Sequence, residues 1–188
     1  MKRILVAAMA LVSGCSPAAD KQVAQTPSSP CDVAAAYLDA MLLESRNTKF
    51  IFANDEEQVG TLSVNGEWYG EGTNQRVPGP DPARFTAAAS KLSSVGACPA
   101  VRQKLDRYGV AYGEKAVAAA IADTGDGEGY RATILNFSLP LISRDGTEAI
   151  VATSSVSAPE GGAGSLRHLK RRSDGRWEAV SESGLWIS

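Results

Sequence analysis

His168 is the only histidine in this 188-residue chain, so any imidazole chemistry would have to pass through it. Ser165 lies just upstream and carboxylates are plentiful, so a Ser-His-Asp set can be assembled, with the ring taking the proton of a nucleophilic hydroxyl. The context argues against it. No serine occupies a Gly-x-Ser-x-Gly elbow, and His168 sits within Leu166-Arg167-His168-Leu169-Lys170-Arg171-Arg172. That run reads as a cationic strand with His168 on its solvent side. A zinc centre needs several His or Cys ligands, and the chain has one His and three Cys. No metal and no other cofactor is expected.

Asp123-Thr124-Gly125-Asp126-Gly127-Glu128-Gly129 carries the oxygens and glycines of a calcium loop. Its carboxylates do not fall on the alternate positions that an EF-hand requires, so it reads as an acidic turn. Asp55-Glu56-Glu57 reads as a solvated turn, and neither a P-loop nor a Gly-x-Gly-x-x-Gly motif occurs.

The basic run continues to Arg176. Strand alternation sends Arg167 and Arg171 to one face and His168, Lys170 and Arg172 to the other. Its plain role is to keep an edge hairpin soluble. Its functional reading is contact with an anionic partner, such as lipopolysaccharide, phospholipid headgroups or an acidic protein. Trp68-Tyr69, in a Gly-rich setting, reads either as core or as a platform for sugar or peptide. Trp68, Tyr69, Arg167, His168, Lys170 and Arg172 together make the candidate ligand patch.

Residues 1–14 stand outside the fold. Lys2 and Arg3 precede the apolar run 4–12, which falls short of the ~20 residues that a spanning helix needs. It ends in Val12-Ser13-Gly14-Cys15, which resembles the lipobox of bacterial lipoproteins. The resemblance implies acylation of the Cys15 thiol, cleavage before it and acylation of the new amino terminus. Ser16 in place of Asp implies, by the same resemblance, an outer-membrane destination facing the periplasm. An ordinary secretory signal that leaves Cys15 free is the alternative. Losing Lys2 and Arg3 takes the formal charge two units below −2, to −4. That mildly acidic balance argues against nucleic acid as a partner, whose binders usually carry a basic stripe and a high pI.

Residues 15–30 are polar and aperiodic, a tether that holds the domain about 20 Å from the lipid. Residues 31–188 form one domain. With Cys15 spent on lipid, Cys31 and Cys98 remain, each beside a proline at a predicted helix start. No Cys-x-x-Cys accompanies them, so a Cys31–Cys98 disulfide is favoured over a metal pair or a reactive thiol.

Ser29-Pro30-Cys31-Asp32 starts a helix that runs to about residue 46. Residues 50–53 read as a short strand, and 60–69 as a hairpin turning at Asn65-Gly66. Asp81-Pro82 and Cys98-Pro99 start further helices, the first to about residue 94, the second to 107 or 108. Residues 114–122 suit helix or strand equally. From residue 130 onward the chain alternates strands and turns, at Ser143-Arg144-Asp145-Gly146, through a flexible 158–164, and at Ser173-Asp174-Gly175. The expected fold is α+β, with N-terminal helices packed on one side of a mainly antiparallel C-terminal sheet. This last third, with Asp174-Gly175-Arg176-Trp177 and Leu185-Trp186-Ile187-Ser188, also resembles the ending of uncharacterised bacterial envelope proteins. No activity comes with that resemblance.

The expected function is a lipid-anchored, non-catalytic binding or interaction module. An envelope hydrolase with dispersed carboxylates and serines, and an accessory subunit of an envelope assembly, are the alternatives.

Overall fold

The structure, a computed structural model, describes residues 29–44, 49–53, 66–85, 96, 98–124 and 129–187. Cys15 and most of the expected tether lie outside the described residues. So do residues 60–65 of the expected hairpin, and residues 86–94 of the helix expected from Asp81.

Ser29 opens α1 (Pro30–Glu44) with a reciprocal cap. Its Oγ accepts from the Asp32 N–H at 3.2 Å, and the Asp32 carboxylate accepts from the Ser29 N–H at 3.2 Å. Val33, Ala34, Ala35 and Leu38 are buried along one side of the helix. α2 (Pro99–Tyr108) begins at Cys98-Pro99 and buries Val101 and Leu105 in the same cluster as Ala34 and Leu38. Cys31 and Cys98 are joined by a disulfide, their Cα atoms 5.5 Å apart, so the two helix starts are stapled together. Asp39 and Lys104 add an ion pair further along.

Among the described residues, nine strands form one sheet, in the order β3-β2-β9-β8-β7-β5-β1-β4, with β6 paired to β7 beside that path. They are β1 (Phe50–Phe52), β2 (Trp68–Gly70), β3 (Arg76–Val77), β4 (Ala111–Tyr112), β5 (Thr133–Phe137), β6 (Leu141–Ile142), β7 (Glu148–Ala158), β8 (Gly161–Arg171) and β9 (Trp177–Ile187). The sheet is antiparallel except that β1 runs parallel to both β4 and β5. The fold is α+β, with the helices N-terminal to most of the strands.

Neighbouring residues in a strand face opposite ways, so cluster membership assigns the layers. Phe52, Phe137 and Val151 pack with α1 and α2 on one face. Ile51, Ala53 and Ile134 pack on the other with α3 (Glu114–Ala122), through Ala120 and the half-buried Ala116 and Val117. Residues 114–122 are therefore helix, their alanines agreeing with intrinsic propensity, and this helix lies opposite α1. Further along that second face, Ile150, Ala152 and Leu166 are covered by Trp68 and Phe85 from the segment 66–85. Asp81 caps only a short 3₁₀ turn there, Pro82–Arg84.

Residues 158–164 differ from their expected flexibility. The turn is confined to residues 159–160, and Gly161 already opens β8, pairing with Ala158. From Gly164 to Ala163 the same stretch also pairs with β9. The β7 ladder holds Gly161, Gly162 and Gly164 extended, and β9 pairs Gly164 from the other side.

Candidate functional site

The six residues of the sequence-derived patch do not form one surface. β8 places Leu166 and His168 on the face covered by residues 66–85, so His168 is buried at 4% exposure rather than solvent-facing. The alternation was right and the cover was not legible. Trp68, at 2% exposure, meets the His168 ring edge-on at 6.2 Å, and the side of Gly79 lies flat against its indole. Neither residue can act as a surface platform. Lys170 stays half-exposed on the same face, its Nζ 3.9 Å from Glu148 Oε1.

Arg167 and Tyr69 belong to the opposite face. Arg167 is held between Glu71 and Glu182, the latter at 2.9 Å. Tyr69 donates its hydroxyl to Glu67 at 2.8 Å, and Glu67 also pairs with Arg76. Arg172 lies beyond the end of β8, paired with Glu178 at 2.9 Å. Asp123, the first carboxylate of the calcium-like loop, pairs with Arg131 at 2.9 Å.

Two groupings remain, and both touch the turn between β6 and β7. The first is a buried polar row. Ser181 Oγ lies 3.5 Å from His168 Nδ1, and His168 Nε2 lies 3.3 Å from Glu148 Oε2. The second contact is close but not aligned as a hydrogen bond. Burial lowers the His168 pKa, and the Glu148 carboxylate only partly opposes it, so the ring is neutral near pH 7. Arg84 reaches in from the 3₁₀ turn and pairs with both Glu148 and Asp145. The hydroxyls of Ser143 and Thr147 hold the Asp145 pKa well below the usual carboxylate range, with Arg84 adding to the effect.

In composition this row resembles an acyl-transfer relay, with Ser181 where Ser165 was weighed. Its chemistry is blocked: Ser181 is 2% exposed, and the covering segment sits over the ring. A nucleophile must reach a substrate carbonyl, and this hydroxyl reaches none. Ser165 instead faces Thr153, hydroxyl to hydroxyl at 3.1 Å.

The second grouping is a cleft of about 640 Å³ at one end of the sheet. It lies among the start of α1 at Pro30, the segment 140–147, and the start of the β8–β9 turn at residues 171–173. Gly146 and Gly175, with φ of 70° and 84°, allow the two turns that shape this end of the sheet. Each closes with an N–H···O bond of 2.9 Å, Gly146 to Ser143 and Gly175 to Arg172.

Arg144, Arg171 and Arg172 line the cleft, and Asp145 is the one acidic residue among its walls. The Asp145 carboxylate is already occupied by Ser143, Thr147 and Arg84. Arg171 Nε is buried without a hydrogen-bond partner among the described residues. Pro30, Pro140, Leu141 and Ile142 give the cleft an apolar wall. The volume falls within the usual range for small-molecule sites. Among the described residues, no three His, Cys, Asp or Glu side chains converge as metal ligands would.

The sequence pointed to Arg172 and its basic run but missed Arg144, and it missed the partners Arg84, Glu148 and Ser181. These come from segments far apart in the chain, and only the turn motif Ser143-Arg144-Asp145-Gly146 was a visible signal. No protein-family model, no curated protein and no solved structure matches this chain. No described helix is long and apolar enough to cross a membrane.

Proposed function

We propose that this chain is a lipid-anchored cell-envelope protein, attached at the outer membrane through Cys15 and facing the periplasm. It acts by binding, with the arginine-lined cleft as its site for an anionic ligand. The cleft carries this reading. Three arginines line one concavity in a chain whose formal charge is −2, a local reversal of sign. Guanidinium groups suit oxyanions because their planar fork donates to two oxygens at once.

The Cys31–Cys98 bond supports the compartment, since such bonds persist outside the reducing cytosol. The lipobox resemblance of Val12-Ser13-Gly14-Cys15 supports the anchor. The sealed Ser181–His168–Glu148 row supports a structural use of the groups that would otherwise suggest hydrolysis.

The test has two halves. Intact mass of protein purified from membranes should correspond to a chain beginning at Cys15 and carrying acyl groups, and Cys15→Ala should lose them. A mass without lipid overturns the anchor. Pyrophosphate should raise the thermal midpoint of the protein, and Arg144→Gln combined with Arg171→Gln should abolish that rise. An unchanged rise in this variant removes the cleft as the site.

A further inference from the structure

We infer that the ligand of this cleft is an amphiphile, a phosphate-bearing headgroup joined to an apolar portion, drawn from the bilayer to which the domain is tethered. The inference rests on the cleft being the binding site. Three observations carry it.

The first is the mixed lining. Arg144, Arg171 and Arg172 supply cationic residues, while Pro30, Pro140, Leu141 and Ile142 supply apolar ones. A bare oxyanion would satisfy only the first. The volume of about 640 Å³ also exceeds what a single phosphate fills, leaving room for the group that the phosphate esterifies.

The second is the state of the charges. Asp145 is engaged, its carboxylate accepting from Ser143 and Thr147 and pairing with Arg84, so it is not the partner of Arg144 or Arg171. Arg172 has one partly exposed partner, Glu178. Arg144 and Arg171 have no ion pair among the described residues. Two cations are thus left for a ligand. At the start of α1 the Asp32 and Val33 N–H groups are already taken by Ser29.

The third is position. Pro30 is both the first residue of α1 and part of the cleft wall. The segment that leads back to Cys15 therefore joins the domain at the cleft. A tether of that length keeps the attachment end within a few tens of Å of the lipid surface. On the proposed anchor, the cleft lies at the end of the domain to which the tether attaches.

The experiment uses the mature lipidated protein in an uncharged detergent, with native mass spectrometry reading the bound fraction. Three probes are titrated: short-chain phosphatidic acid, the matching phosphatidylcholine, and glycerol 3-phosphate, which is the headgroup without chains. Saturable one-to-one binding of phosphatidic acid is expected, at least about tenfold tighter than either other probe. Arg171→Gln should weaken it by about tenfold. Arg144→Gln, on an exposed turn outside the core, should weaken it too, and it guards against a folding defect in the first variant.

Glycerol 3-phosphate binding as tightly as the lipid overturns the amphiphile and leaves the anionic-ligand reading standing. Equal binding of phosphatidylcholine overturns the selection for an anionic headgroup. Phosphatidic acid binding that both variants leave unchanged places the lipid elsewhere and overturns the inference. No binding of either anionic probe overturns both the inference and the reading it rests on.

Discussion

Glu148 and His168 stand on neighbouring antiparallel strands, the carboxylate Oε2 of the one 3.3 Å from the ring Nε2 of the other. Arg84 approaches the same carboxylate from 64 residues earlier in the chain, so one buried acid ties the covering segment to the sheet. The arrangement is costly to bury and stays favourable only while its partners remain in place.

Stability should fall as the pH drops below about 6.5, the ordinary value for histidine. Burial lowers the folded-state pKa of His168 below that value, so the unfolded chain takes up its proton first. The stabilisation is fully present above 6.5 and is lost as the pH falls toward the folded value, with a slope of at most about 1.4 kcal/mol per pH unit. Urea denaturation across pH 7.5 to 5 reads this, and His168→Phe should remove that part of the slope.

Because His168 is the only histidine, its ring gives a single imidazole titration in a proton spectrum. Glu148→Gln removes the attraction that opposes desolvation, so the titration should move to lower pH. A shift upward, or none, would show that the carboxylate does not act on the ring.

Gly79→Ala should destabilise the fold by about 1–3 kcal/mol, because a methyl at that position overlaps the Trp68 indole. Trp68 is 2% exposed and cannot swing aside without disturbing Phe85 and Leu166. Denaturation midpoints with tryptophan fluorescence as the probe would show both the loss and any change in the indole environment. An unchanged midpoint would mean that residues 66–85 do not lie against the sheet.

Replacing Cys31 and Cys98 together by Ala should cost about 4 kcal/mol, the loop-closure value for a separation of 67 residues. Denaturation with and without reductant checks this. Reductant should lower the midpoint of the parent protein and leave the variant unaffected.

The chemistry of the helix starts was legible because it is local. Ser29 with Asp32, and the proline beside each cysteine, fix where α1 and α2 begin without reference to anything distant. The strands from residue 133 onward were legible for the same reason, through alternation and Asp-Gly turns. His168 shows where that reasoning stops. Which way a side chain points follows from the period of the strand, but whether water lies there depends on a segment that ends more than eighty residues earlier. The parallel placement of β1 between β4 and β5 is equally non-local, and three residues at Phe50–Phe52 carry no sign of it. The cleft draws its walls from three separated stretches, so no window of sequence contains it.

β9 is the ninth strand in chain order, yet it stands inside the sheet, with β8 on one side and β2 on the other. Among the described strands, β2 reaches the rest of the sheet only through β9. A chain made from its N-terminus therefore presents β2 more than a hundred residues before β9, the strand that ties it to the sheet. Closure of the sheet around β2 waits for β9, and the large sequence separation between them makes that pairing slow to form.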